Sequence, residues 1–155
     1  MHLSWGALSE LKKKGFSFNE TLFFAFSLND VQSFVITLNT GSPFSSEGQL
    51  FQHGIDSEGV SLGDYAPFTI EEKKKKGLPF DRITLYDEGD FYASFEVKQT
   101  KDGFYIVAES IVDSGEDLTE QFGNEILGLT DESIEKLGEK VIPYITEHLI
   151  RKILS

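Results

Sequence analysis

The sequence predicts an α+β fold. It expects N-terminal helices, a central antiparallel β-hairpin or small sheet, C-terminal helices packed on it, and a long irregular loop at 41–80. Three observations lead there. Ile134, Leu137, Val141, Ile145, Leu149 and Ile153 recur at spacings of 3, 4, 4, 4 and 4, the period of one helix face. Lys101-Asp-Gly-Phe104 divides two segments of alternating apolar residues, and Asp-Gly suits the positive φ of a type I′ hairpin turn. Between 41 and 80, Gly41, Pro43, Gly48, Gly54, Gly59, Gly63, Pro67, Gly77 and Pro79 interrupt any long regular element. At 155 residues a single domain spanning 1–155 is expected.

In chain order, Ser4–Lys14 reads as a short helix. Ser4 caps it, Leu8 and Leu11 share a face, and Gly15 stops it behind three lysines. Asn19 can cap a second helix, expected over Glu20–Leu38 with Phe23, Phe26, Asp30 and Phe34 along one side. Its β-branched tail, Phe34–Leu38, is equally compatible with a strand. The 41–80 segment carries Phe44, Phe51, Tyr65, Phe68 and Phe80, so it reads as a packed or partner-bound arm rather than a free linker. Within it, Thr69–Lys76 predicts a short helix with Gly77 as its stop. Arg82–Tyr86 and Phe91–Gln99 alternate as strands, and the return strand runs from Phe104 to Ile111. With Asp102 and Gly103 as the turn, Val97 faces Ala108, Gln99 faces Ile106 and Glu96 opposes Glu109. Leu118, Phe122, Ile126 and Leu127 fit one helix ended by Gly128. Thr130 then caps the last, in which Pro143 predicts a kink or break.

Composition removes several functions. No cysteine is present, which excludes disulfides, thiol catalysis and cysteine metal sites. The net charge of −12 disfavours nucleic-acid backbones and anionic membranes as partners. No apolar run approaches a membrane span, and Met1–Trp5 has no signal-peptide pattern, so a cytoplasmic site of synthesis is expected. No P-loop, GxGxxG or GxSxG occurs.

Asp87-Glu-Gly-Asp90 is the densest acidic cluster near a turn. It could hold Ca²⁺ or a general acid–base pair, but a tight turn explains it without chemistry and the calcium-loop alternation is missing. Asp56-Ser-Glu-Gly59 likewise reads as a turn. Lys73, Lys74, Lys75 and Lys76 form a basic run, whereas 113–139 holds nine acids and one lysine. Such opposite patches could mate between identical subunits in a ring, and equally could serve only solubility. For a partner interface the expected residues are Phe44, Phe51, Tyr65 and Phe68, with Lys73 to Lys76 beside them. No catalytic residue, cofactor or metal is expected.

Three segments in order carry a resemblance: Gly48–Gly59 leading into Leu62-Gly-Asp-Tyr65, then Gly77–Phe95, then Leu118–Thr130. Together they resemble small virion structural proteins of Bacteroidetes tailed phages and prophages. Leu85-Tyr-Asp-Glu-Gly-Asp-Phe-Tyr-Ala-Ser94 is also similar to a signature of siphophage neck and tail-completion proteins, with Glu88 where that signature usually has Thr. The resemblance implies a non-enzymatic protein at the head–tail junction, made in the bacterial host cytoplasm and located in the virion. It would form a homo-oligomeric ring and dock between other head and tail proteins. It assigns no catalytic residues. The rival readings are a metal-dependent enzyme or binding protein using Asp87, Asp90 and His53, or an acidic DNA mimic directed at the host.

Overall fold

The computed structural model describes residues 19–101 and 103–154, so the helix expected over Ser4–Lys14 lies outside the described residues. The chain runs α1 (Asn19–Ser27), α2 (Asn29–Asn39), a π-helical turn (Gln49–His53), α3 (Pro67–Lys76), α4 (Asp90–Ala93), β1 (Glu96–Thr100), β2 (Gly103–Val107), α5 (Leu118–Phe122), a 3-10 turn (Asn124–Ile126) and α6 (Asp131–Leu154). The α+β class stands. Helices α1 and α2 occupy the centre, packing on each other, on α6 and on the hairpin; α6 rests chiefly on these two helices.

The single helix expected over Glu20–Leu38 is two helices. Leu28 is extended at φ −76° and ψ 132°. The Ser27 hydroxyl donates to the Phe24 carbonyl at 2.6 Å, and the Gln32 amide donates to Phe26 O at 2.8 Å. These side chains satisfy carbonyls that the next turn would have used, so α1 ends there. The break re-aims the faces: Ala25, Phe26, Val31, Val35 and Leu38 are buried, while Phe23 is half exposed. Phe34–Leu38 is helix, not strand.

The hairpin is present with a register shifted by two residues. Thr100 pairs with Gly103, Val97 with Ile106 and Gln99 with Phe104. Gly103 therefore belongs to β2 and its φ is not positive, so the turn is not Asp102-Gly103. A two-residue shift preserves the side-chain face. Glu96 opposes Val107 rather than Glu109, which removes the expected like-charge pair.

The expected strand over Arg82–Tyr86 is irregular, because side chains take the backbone groups a neighbouring strand would have used. Thr84 N donates to the Tyr65 hydroxyl at 3.0 Å, and its carbonyl accepts from the Tyr92 hydroxyl. Leu85 sits at φ +58°, unusual for a residue with a Cβ. Phe91–Ala93 is helical; only Glu96 onward is strand. Tyr92 is buried so that its ring meets Tyr86 edge-on, and one helical turn places Phe91, Tyr92 and Phe95 in the same core.

In the last third, Gly123 at φ +90° ends α5 before Ile126, so the expected single helix is a helix and a 3-10 turn. Thr130 caps α6 as expected, its hydroxyl accepting from Ser133 N at 3.1 Å. Helix α6 runs on through Pro143, which is exposed. The carbonyl four residues earlier belongs to Glu139, also exposed. Water can therefore satisfy the acceptor that proline leaves open.

The 41–80 segment is irregular but built. Gly41 and Gly48 approach so closely that a Cβ on Gly48 would lie 2.3 Å from Gly41 Cα. Phe51 N donates to Thr40 O at 2.9 Å. Helix α3 starts at Pro67, whose missing N–H costs nothing at the first helical position, and stops at Gly77 in the left-handed conformation.

Candidate functional site

The four aromatic residues expected at an interface separate into two classes. Phe44 is 99% exposed at the tip of a turn in which its N–H donates to the Ser42 hydroxyl. Phe68 is 77% exposed on the first turn of α3. It stands at the rim of a groove of about 560 Å³ between α3, the 83–87 segment and α5. Phe51, by contrast, is a core residue, edge-on to Tyr86 at 5.4 Å, with Arg82 Nε donating to its carbonyl. Tyr65 is half-buried and its hydroxyl is committed to Thr84. Phe51 and Tyr65 thus fasten the segment to the body, and Phe44 and Phe68 face away from it.

The four lysines are engaged within the chain. Lys73 is buried; its ammonium donates to the Tyr86 carbonyl, lies 5.2 Å over the Tyr65 ring and 4.0 Å from Asp87. Lys74 pairs with Glu71 and Lys75 with Glu72, both at 3.3 Å. Lys76 reaches Asp87 at 2.6 Å, and that hydrogen bond raises the Lys76 pKa. Mating of this run with acids of a neighbouring subunit would have to displace these partners.

Asp87 and Asp90 line one groove of about 420 Å³, together with Glu88, Glu109 and Asp113 over Phe91, Ile111 and Val112. His53, exposed at the end of the π-helical turn, is not among its lining. Among the described residues no three His, Cys, Asp or Glu side chains come together to hold a metal ion. Asp56 closes the expected turn, its carboxylate accepting from Glu58 N and Val60 N at 2.9 and 3.0 Å. Asp117 caps α5, accepting from the Thr119 hydroxyl at 2.7 Å and Thr119 N at 2.9 Å. Hydrogen bonds from the Thr119 and Ser110 hydroxyls hold the Asp117 carboxyl below the usual carboxylate range. Burial pushes the Tyr92 phenol well above its ordinary value, keeping it a neutral donor.

Two features escaped the sequence reading. Ile111 is 66% exposed above the acid-lined groove, where it had been expected to end a strand. A pair of buried amides joins α2 and the π-helical turn to the start of α6. Asn39 donates to Ile126 O at 3.0 Å and accepts from Gly128 N at 2.9 Å. Gln49 donates to Gly128 O and accepts from Thr130 N, both at 2.9 Å. The sole sequence signal was a polar residue closing the apolar Phe34–Leu38 run.

Chemically, this surface offers aromatic side chains and open grooves for contact. Its lysines and several acids serve turns, caps and ion pairs. Comparison with protein-family models, curated proteins and solved structures finds no match.

Proposed function

We propose that this chain is a non-enzymatic structural subunit of a tailed-phage virion. It acts at the head–tail junction as a neck, connector or tail-completion protein, by forming a homo-oligomeric ring and docking between head and tail components. The observation that carries this reading is the exposure of Phe44 and Phe68 on a segment that Phe51 and Tyr65 fasten to the core. Large aromatics held outward on an anchored scaffold supply contact area at low ordering cost. The resemblance of Gly48–Gly59, Gly77–Phe95 and Leu118–Thr130 to phage proteins supplies the context. The charge of −12 suits a channel wall past which DNA slides without counterion-releasing contacts.

The experiment is mass photometry and native mass spectrometry of the wild type beside a Phe44→Ala, Phe68→Ala double variant. The expected result is a ring-sized oligomer in the wild type and its loss in a folded variant. A tight metal adduct on a monomer, lost on Asp87→Asn, would favour the metal-dependent alternative. A stable acidic monomer or dimer that competes with DNA for a host protein would favour the mimic.

A further inference from the structure

The turn that carries Phe44 is braced from inside. Gln52 Nε2 donates to the carbonyls of Ser42 and Ser45, at 3.3 and 2.5 Å, and Ser45 N donates to Ser42 O at 3.2 Å. Pro43 fixes the backbone just before the tip. Residues 31–46 are also the longest stretch of the chain without Asp, Glu, Lys or Arg. Phe44 is therefore a large aromatic held out on a neutral, pre-organised turn.

The groove between α3, the 83–87 segment and α5 has the complementary form. Among the described residues, Tyr65, Phe68, Leu85, Tyr86 and Phe122 supply apolar wall. Such rings offer a phenyl group edge-on and offset-stacked neighbours. Glu72, Lys73, Lys76 and Asp87 in the same lining already form ion pairs within the chain.

We propose that Phe44 of one copy seats in this groove of the next copy, a contact that rests on the ring reading above and specifies its geometry. Phe44 and Phe68 then lie on opposite sides of one repeated contact, tip on one subunit and rim on its neighbour. Phe44 does not line the groove of its own chain, so tip and groove are different surfaces and can join copies head-to-tail. Charge favours the pairing. A chain of −12 repels its own copies, and a neutral tip brings no further charge into the contact. The acid-lined groove suits it less, because a phenyl ring over Ile111 would strip water from Asp87, Asp90, Glu109 and Asp113 and give nothing back. Area favours a closed assembly over a dimer. One buried phenyl ring accounts for ~150–250 Å², whereas a stable two-body interface needs roughly 800 Å² from each partner. A single tip contact is weak alone, but closing a ring gives each subunit two and makes the last one intramolecular.

The chain has no cysteine, so introduced thiols are the only ones present. Ser46→Cys stands two residues beyond Phe44, and Gln121→Cys stands on the α5 wall of the groove, both at exposed positions. Treated with a short bis-maleimide, the variant carrying both thiols should give a ladder of covalent multimers up to the ring. Each single-thiol variant should stay a monomer on a denaturing gel, and a mixture of the two should stop at the dimer. Adding Phe44→Ala to the two-thiol variant should abolish the ladder with far-UV circular dichroism retained. Cross-linking of Ser46→Cys to itself would overturn the proposal in favour of a two-fold contact between tips. A ring seen by mass photometry that gives no ladder would overturn this contact and leave the ring reading standing. So would a tip that couples instead to Tyr105→Cys or Glu109→Cys. A monomer at every concentration would overturn the ring reading and this contact together.

Discussion

Replacing Asn39 with Ala probes the joint between the central helices and α6. Asn39 is fully buried, and its amide bonds the Ile126 carbonyl and the Gly128 N–H at once. Alanine leaves both backbone groups without their partner. Ile126 is fully buried, so its carbonyl has no route to water and pays about 1–3 kcal/mol. Gly128 is half-buried and recovers part of its loss by hydration. Together with the small void left by the amide, the expected loss is about 2–4 kcal/mol. At ~2–4 °C per kcal/mol for a chain of this length, the melting midpoint should fall by roughly 10 °C. Urea denaturation followed by far-UV circular dichroism gives the free energy directly, with an unchanged m-value expected. Gln49→Ala removes the neighbouring clamp on Gly128 and Thr130. The double variant should show coupling, because both amides hold one turn. A midpoint within a degree or two of wild type for Asn39→Ala would refute the assignment of that joint to these hydrogen bonds.

Other expectations follow from the same geometry. Phe51→Ala should destabilise by about 3–5 kcal/mol in chemical denaturation, whereas Phe44→Ala and Phe68→Ala should leave the midpoint unchanged; equal effects would undo the division between anchors and outward aromatics. Gly103→Val should melt close to wild type, since a Cβ there meets nothing within 4 Å and φ is not positive. Gly48→Ala should lower the melting temperature clearly, because its φ is +128° and its Cβ would strike the Gly41 backbone. Asp117→Ala should destabilise at neutral pH. Because the folded-state pKa of Asp117 is depressed, its contribution is present above the usual carboxylate range and fades as pH falls through the folded value. Wild type and variant should therefore converge in acid, and a constant gap across pH would count against the capping role.

What was legible in the sequence was what local chemistry determines. The repeat from Leu137 to Leu149 places α6 because one face must be buried, and Thr130 and Gly77 mark ends through capping and left-handed backbone. The hairpin was legible as a pairing, but Gly103 was free to enter the strand, and the register moved by two residues. Alternation misled at Phe91, Ala93 and Phe95, because Ala93 is exposed and Tyr92 is buried in its place, through Tyr86 and the Thr84 carbonyl. Those partners are fixed by tertiary packing, as are Asn39 and Gln49, whose acceptors lie more than 75 residues away. The basic run looked open because its partner Asp87 is eleven residues from Lys76 and comes near only through the irregular 82–87 segment. Exposure of Phe44 and burial of Phe51 could not be told apart from composition, since both are phenylalanines in a glycine-rich loop.

Assembly is the claim on which the proposed function stands, and mass photometry of the unmodified chain across a dilution series tests it most directly. The expected result is a discrete oligomer with the mass of a closed ring, dissociating on dilution and absent in the folded Phe44→Ala, Phe68→Ala variant. A monomer at every concentration, or a ring that the double variant forms as readily as the wild type, would contradict it.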